Sequence, residues 1–148
     1  MRRRQTVPTR WLIIADPAAL RTVGRLPRGS GVLVVHPLAP PEIRQLRRIA
    51  NRRDLSIVRE ESGSAARVHN MRELRRALLA RTPIILLSPL YPTRTHPDWK
   101  PIPRMRAAAM ARLARRGLTA LGGMDARKFE RVRRLGFQRW AGISAFRT

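Results

Sequence analysis

Residues 93–96 combine four side chains that could bind a phosphate group. The segment reads Thr93, Arg94, Thr95 and His96, and it follows an apolar run at 84–87 after a short proline-containing stretch. Two hydroxyls, a guanidinium and an imidazole can all donate hydrogen bonds to phosphate oxygens, and the guanidinium adds positive charge. The same side chains equally suit a solvated turn, so this segment alone leaves both interpretations open.

Two further segments place small residues after apolar runs. Gly122 and Gly123 follow the run at 118–121, and Ile143 and Ser144 end the run at 139–144. Glycine lets the backbone approach an anion closely, and a helix that starts after Asp125 would point its free N–H groups at the same place. The loops after the last two strands of a (β/α) barrel commonly form a phosphate site, although a tight strand-to-helix turn would use the same glycines.

Apolar runs alternate with helical patterns along the chain. Strands are expected at 11–15, 31–36, 55–59, 84–88, 118–121 and 139–144, and the polar stretch 60–70 is either a loop or a loop with a short strand at 66–69. Helices are expected at 17–24, from 40 onward, and at 71–80, 104–116 and 126–135, with Asp16 and Asp125 as N-caps. This alternation predicts an α/β fold with a parallel, barrel-like sheet of six or seven strands. We expect a basic tail at 1–9 and a single domain at 10–148.

The composition narrows the classes of function. With 43% hydrophobic residues, the 148-residue chain is globular, and with no cysteine it has no disulfide framework and no cysteine-based metal site. The net charge of +23 attracts polyanions, so non-specific nucleic-acid binding is expected. The arginines are spread along the whole chain and aromatic residues make up only 5%, which is equally typical of a compositional bias without a nucleic-acid role.

The sequence offers no candidate for a membrane span. No apolar run approaches the roughly 20 residues that a transmembrane helix needs. The basic N-terminus is followed by an apolar stretch at 11–15 that is too short for the core of a signal peptide. We therefore expect a cytoplasmic protein without membrane association.

Three motifs together resemble the thiamine phosphate synthase/TenI family. That family has a Gly-Pro-apolar-Phe-Pro-Thr-x-Thr-Lys loop after its sixth barrel strand, a Gly-Gly-Ile turn after the seventh and Ile-Ser-Ala at the end of the eighth. Here the motifs read SPLYPTRTH at 88–96, GGM at 122–124 and ISA at 143–145, in the same order. The stretch at 68–74 is similar to the Ser-x-His start of the family's fifth unit, while 10–60 matches only in its alternation of strands and helices.

The resemblance implies a transferase of thiamine biosynthesis that joins a pyrimidine diphosphate to a thiazole phosphate and releases pyrophosphate, with Mg²⁺ as cofactor. Such a protein mainly has to hold two anions and stabilise the leaving group. The substrate-binding residues that the resemblance implies are Thr93, Arg94, Thr95 and His96, and the phosphate-binding residues are Gly122, Gly123, Ile143 and Ser144.

The sequence departs from the family pattern where the family binds the diphosphate and the metal. Residues 34–37 (VVHP) replace a Gln-x-Arg-x-Lys motif, and His96 replaces the lysine that meets the pyrophosphate. The family's Asn-Asp after the third strand is replaced by Arg-Glu-Glu at 59–61, which leaves Glu60 and Glu61 as candidate magnesium ligands.

A whole βα unit is also missing from the pattern. The family's fourth unit, which carries a second magnesium aspartate, has no counterpart between 61 and 68. This predicts a TIM-barrel-derived sheet with about one βα unit missing. Because strand number and shear are linked in a barrel, the deletion leaves closure of the sheet open.

Three classes of function follow. The chain is a thiamine phosphate synthase-like transferase with intact or impaired catalysis, a non-catalytic binder of a phosphorylated thiazole or thiamine ligand, or an Arg-rich nucleic-acid-binding or assembly protein. An acidic pair facing Gly122 and Gly123 would favour the first class. A phosphate site without carboxylates would favour the second, and a continuous arginine face would favour the third.

Overall fold

A computed structural model of the chain describes residues 7–94 and 96–146. The first six residues of the expected basic tail, the final two residues of the expected domain and the candidate substrate-binding residue Thr95 lie outside the described residues.

The described residues form one parallel sheet. Its strands are β1 (Arg10–Ile14), β2 (Gly31–Val34), β3 (Ser56–Arg59), β4 (Ala65–Val68), β5 (Ile84–Leu87), β6 (Thr119–Ala120) and β7 (Arg139–Gly142). They are ordered β3-β2-β1-β7-β6-β5-β4, and every pairing is parallel. The sheet curls into a nearly closed barrel, which confirms the predicted α/β barrel-like fold with the seventh strand present.

Helices connect most of the strands. They are α1 (Leu20–Val23), α2 (Pro40–Arg53), α3 (Met71–Leu79), α4 (Arg104–Leu113) and α5 (Ala126–Val132). Both predicted N-caps are confirmed. The Asp125 carboxylate accepts from the Lys128 amide at 2.8 Å, and the Asp16 carboxylate accepts from the Ala19 amide at 3.2 Å in a 3₁₀ turn that precedes α1. No helix in the described part of the chain is both long enough and apolar enough to cross a membrane.

Both faces of the sheet are buried, which explains why the strands are continuously apolar. One cluster contains strand residues such as Trp11, Ile13 and Leu33 but no residue from a helix, so it fills the inside of the barrel. Alternate residues such as Leu12 and Val32 pack with Leu46 of α2 and with other residues on the outside. The alternation of side chains along a strand therefore divides one apolar run between two cores.

The sheet is open between β3 and β4. These strands are consecutive in the chain but stand at the two ends of the strand order, so they do not pair with each other. Their only connection is a 3₁₀ turn (Glu60–Ser62) and two further residues. A complete TIM barrel has eight strands, each followed by a helix, so the missing βα unit lies at this opening, as the sequence predicts.

Several elements are shorter than the apolar pattern suggests. The second strand ends at Val34 instead of 36. The amides of Val35 and His36 both donate to the same acceptor, the Ile14 carbonyl, at 3.1 Å, so the regular ladder of hydrogen bonds does not continue. The helix expected at 104–116 ends at 113, and the strand expected at 139–144 ends at 142. Residues just beyond a strand line the barrel mouth and stay apolar, so hydrophobicity alone extends the expected strands too far.

Candidate functional site

A cavity of about 920 Å³ opens at the carboxyl ends of the strands. Its lining includes at least one residue from just beyond each strand, namely Ala15, Val35, Glu60, His69, Ser88, Leu121 and Ile143. This is the end of a parallel barrel at which ligands bind. The cavity is therefore the candidate functional site.

Most of the candidate residues line this one cavity. Those present are Thr93, Arg94, His96, Gly122, Gly123, Ile143, Ser144 and Glu60. Glu61 instead lines a separate groove of about 450 Å³ between α2 and β3. The structure thus brings together four connecting segments, after β3, β5, β6 and β7, whose candidate residues range from Glu60 to Ser144 in the sequence. Their roles as ligands remain predictions.

The loop after β5 is held against the end of β6 by backbone hydrogen bonds. The Leu90 amide donates to the Leu121 carbonyl at 3.0 Å, and the Tyr91 amide donates to the Gly122 carbonyl at 3.1 Å. The peptide bond between Ser88 and Pro89 is cis. Together these features fix the course of the loop that carries Thr93 to the cavity.

Gly122 and Gly123 are required by the packing of this loop. Both have positive φ angles, of 98° and 59°. A Cβ atom on Gly123 would collide with the Pro92 carbonyl oxygen, and one on Gly122 would lie 2.6 Å from the Pro89 Cα. The two glycines therefore allow their backbone to pack closely against the loop after β5. An anion bound at the same glycines would be a second, additional contact.

Lys128 adds a cation to the cavity that the sequence interpretation missed. Its ammonium group donates to the Gly123 carbonyl at 2.9 Å and lies 5.1 Å from the centre of the Tyr91 ring. The residue sits in the first turn of α5, just beyond the Gly-Gly turn, and this position was the available signal. Arg67 and Arg94 also line the cavity, so positive side chains reach it from three strand ends.

The two candidate metal ligands are both paired with arginine. Arg67 contacts both carboxylate oxygens of Glu60 at 2.8 Å, and Arg59 forms an ion pair with Glu61. Among the described residues, no group of three or more histidine, aspartate or glutamate side chains could hold a metal ion. Magnesium requires near-octahedral oxygen ligands, and side chains engaged by guanidinium groups do not fit it. Magnesium binding by Glu60 and Glu61 therefore remains only a prediction from the resemblance.

Two histidines that are distant in sequence meet at one tryptophan on the cavity wall. The His96 ring stacks on Trp99 with the ring centres 3.8 Å apart and the planes at 8°. The His69 ring meets Trp99 edge-on at 5.2 Å. The sequence interpretation treated His96 as a substrate-binding residue and did not link it to His69 or Trp99, so it missed this aromatic cluster.

The comparisons with known proteins agree with the geometry. A family model described as thiamine monophosphate synthase matches residues 57–146, which is more than half of the chain. The fold is similar to that of thiamine phosphate pyrophosphorylase from Pyrococcus furiosus, with a TM-score of 0.72, 14% identity, and coverage of 95% of this chain and 88% of that one. A FabK mutant from Thermotoga maritima gives a TM-score of 0.47 at 14% identity, covering 94% of this chain and 44% of that chain. No curated protein sequence matches the chain.

The family match and the fold support each other. The matched segment begins in β3 and includes all four connecting segments that carry candidate ligands. The structural similarity extends over the first strands as well, where the sequence matches only in pattern. This chain therefore belongs to the thiamine monophosphate synthase family.

Proposed function

We propose that the chain binds a thiazole phosphate and a pyrimidine diphosphate in this cavity and joins them into thiamine phosphate. The observation that carries the proposal is the meeting of the β5, β6 and β7 loops around one cavity at the barrel mouth. In this assignment, Thr93 and Arg94 bind the diphosphate. Gly123 and the backbone of Ser144 bind the thiazole phosphate.

The proposed reaction depends on positive charge that stabilises the leaving pyrophosphate, and not on acid–base catalysis. The bond between the pyrimidine-methyl carbon and the diphosphate oxygen breaks, and pyrophosphate leaves with the electron pair. The lone pair of the thiazole nitrogen then forms the new carbon–nitrogen bond, with no proton transfer and no redox change. Arg94 lines the cavity and would stabilise the negative charge that develops on the leaving group, whereas Lys128, beside Gly123, would attract the thiazole phosphate.

Binding without catalysis is the second candidate. Glu60 and Glu61 are neutralised by Arg67 and Arg59, and the βα unit that would supply a further carboxylate is absent. This arrangement keeps cationic groups at the mouth while offering no obvious magnesium ligands. It would suit a protein that retains a phosphorylated thiazole or thiamine ligand.

A growth test separates the two candidates. The gene should restore growth without thiamine to a strain that lacks thiamine phosphate synthase, and the purified protein should release pyrophosphate from the two substrates. Binding of thiazole phosphate by calorimetry, without growth or pyrophosphate release, would establish the binder instead. Absence of both binding and turnover would contradict both candidates.

The two lysines of the chain provide a matched pair of variants. Lys128 lines the cavity, whereas Lys100 is exposed and lies outside its lining. We expect Lys128→Met to weaken binding of the thiazole phosphate at least about tenfold, because it removes a cation beside Gly123. Lys100→Met should behave like the wild type. Equal effects of the two substitutions would contradict the assignment of Lys128.

A further inference from the structure

The stack of Trp99 on His96 is built by the backbone. The Trp99 amide donates to the His96 carbonyl at 3.1 Å, which closes a tight turn. This turn places the two rings almost parallel, with centres 3.8 Å apart. The pair is therefore formed locally and does not depend on a bound ligand.

A second element braces the stack. His69, at the end of β4, meets the indole edge-on at 5.2 Å. The His69 ring is in turn held by the Glu73 carboxylate at 3.1 Å, and the same carboxylate accepts from the His69 amide at 2.9 Å. Trp99 is thus held from two strand ends, which lowers the entropy cost of using it as a binding surface.

Trp99 is much more exposed than the other two tryptophans of the chain. It is 43% exposed, whereas Trp11 and Trp140 are only 2% and 4% exposed. Trp99 and His96 both line the cavity, together with Arg94 from the same loop. A flat aromatic surface beside a cation suits a planar ring that bears an anionic substituent, because the ring can stack while the substituent pairs with the cation.

The position of the stack indicates which ring it would take. Trp99, His96 and His69 follow β4 and β5, whereas the candidate phosphate turns at Gly123 and Ser144 follow β6 and β7. If the thiazole phosphate occupies those turns, the β4–β5 side of the cavity is left for the second substrate. We propose that Trp99, backed by His96, is a stacking surface for the heterocyclic ring of the diphosphate substrate. This inference rests on the proposed function.

Two ligands that differ only in the ring provide the test. Pyrimidinylmethyl diphosphate and inorganic pyrophosphate share the diphosphate, so calorimetry on both isolates the contribution of stacking. We expect Trp99→Leu to weaken binding of the pyrimidine ligand about tenfold or more and to leave pyrophosphate binding within about twofold. Trp99→Phe, which keeps an aromatic face, should retain most of the affinity for the pyrimidine ligand. The pyrimidine ligand should also quench tryptophan fluorescence in the wild type, because the other two indoles are buried.

Each remaining outcome contradicts the inference in a recognisable way. Equal loss of affinity for both ligands in Trp99→Leu would show that the indole only supports the loop. Unchanged affinity for the pyrimidine ligand, with pyrophosphate release intact, would overturn the stacking role and leave the proposed function standing. No binding of the pyrimidine ligand by the wild type, together with no pyrophosphate release, would overturn both.

Discussion

The guanidinium of Arg67 lies against the Glu60 carboxylate, where Nη2 donates to Oε1 at 2.8 Å and Nε lies 2.8 Å from Oε2 as an ion-pair contact. Glu60 begins the turn after β3, and Arg67 lies in β4. These two strands form the unpaired edges of the sheet. The ion pair therefore joins the chain on the two sides of the opening left by the missing βα unit.

We expect this pair to stabilise the open barrel. Glu60→Gln and Arg67→Gln should each lower the free energy of unfolding by about 1 kcal/mol, since the pair combines one charged hydrogen bond with a close ion-pair contact but is partly exposed. The double variant should lose less than the sum of the two single losses, which urea unfolding of all four proteins would measure. The exposed pair of Glu130 and Arg133, 3.6 Å apart on the surface, serves as the control and should show almost no coupling. Additive losses at Glu60 and Arg67 would show that the pair does not stabilise the opening.

Gly123 should tolerate no side chain, for a reason that the loop packing supplies. Gly123→Ala would strain a backbone with φ of 59° and would also place its Cβ against the Pro92 carbonyl. Gly29 has a φ of 79°, and no atom lies within 4 Å of the place that a Cβ would take there, so Gly29→Ala isolates the backbone cost. We expect about 1 kcal/mol of destabilisation at Gly29 and clearly more at Gly123. Thermal unfolding would measure the difference, and equal effects would contradict the packing argument.

Glu73 should make the protein less stable in acid. Burial by itself raises the pKa of Glu73, but hydrogen bonds from the His69 backbone, the His69 ring and the Asn70 side chain outweigh this and hold the pKa below its usual 4.5. A carboxyl whose pKa is lowered by folding stabilises the protein above its unfolded pKa, and that stabilisation is lost as pH falls through the folded pKa.

The glutamine variant isolates this effect. Glu73→Gln should be less stable than the wild type at pH 7, and the two should converge as the pH falls through the lowered pKa of Glu73, which urea unfolding across pH would show. Glu130→Gln, on the exposed surface of α5, is the control for replacing a surface glutamate. A difference at Glu73 that stays constant down to pH 3 would exclude the ionised carboxylate as its cause.

We expect the exposed arginines of the chain to bind nucleic acid only non-specifically. Arg47 and Arg48 are exposed on α2, outside the lining of the large cavity. Substituting both by Glu should weaken binding to duplex and single-stranded nucleic acid, and wild-type affinities should be about 10⁻⁴–10⁻⁶ M at physiological salt and fall steeply as salt rises. Thiazole phosphate binding should stay unchanged in this double variant, whereas Thr93→Val should do the reverse. Salt-resistant, sequence-selective RNA binding controlled by the arginine pair would make nucleic acid the primary partner.

Local signals in the sequence predicted the elements well. The caps at Asp16 and Asp125 act through side chains that bond to amides three residues away, and the continuous apolar strands reflect burial on both faces. Such signals depend on neighbours in the chain, so they can be read without a fold. The absence of a unit between 61 and 68 was also visible, because the fourth βα unit of the family that the motifs resemble has no counterpart there.

The motif residues were found in sequence, but their surroundings were not. Sequence alone determined a parallel, barrel-like fold one unit short, and loops at 93–96, 122–123 and 143–144 that would face one end of it. Only the tertiary structure decided that Arg67 forms an ion pair with Glu60, that Lys128 donates to the Gly123 carbonyl, and that His69 and His96 both contact Trp99. The meeting at Trp99 joins the ends of β4 and β5, and the Glu60–Arg67 pair spans the unpaired edges of the sheet. Such contacts depend on how the strands are placed around the barrel, and no spacing along the chain encodes that placement.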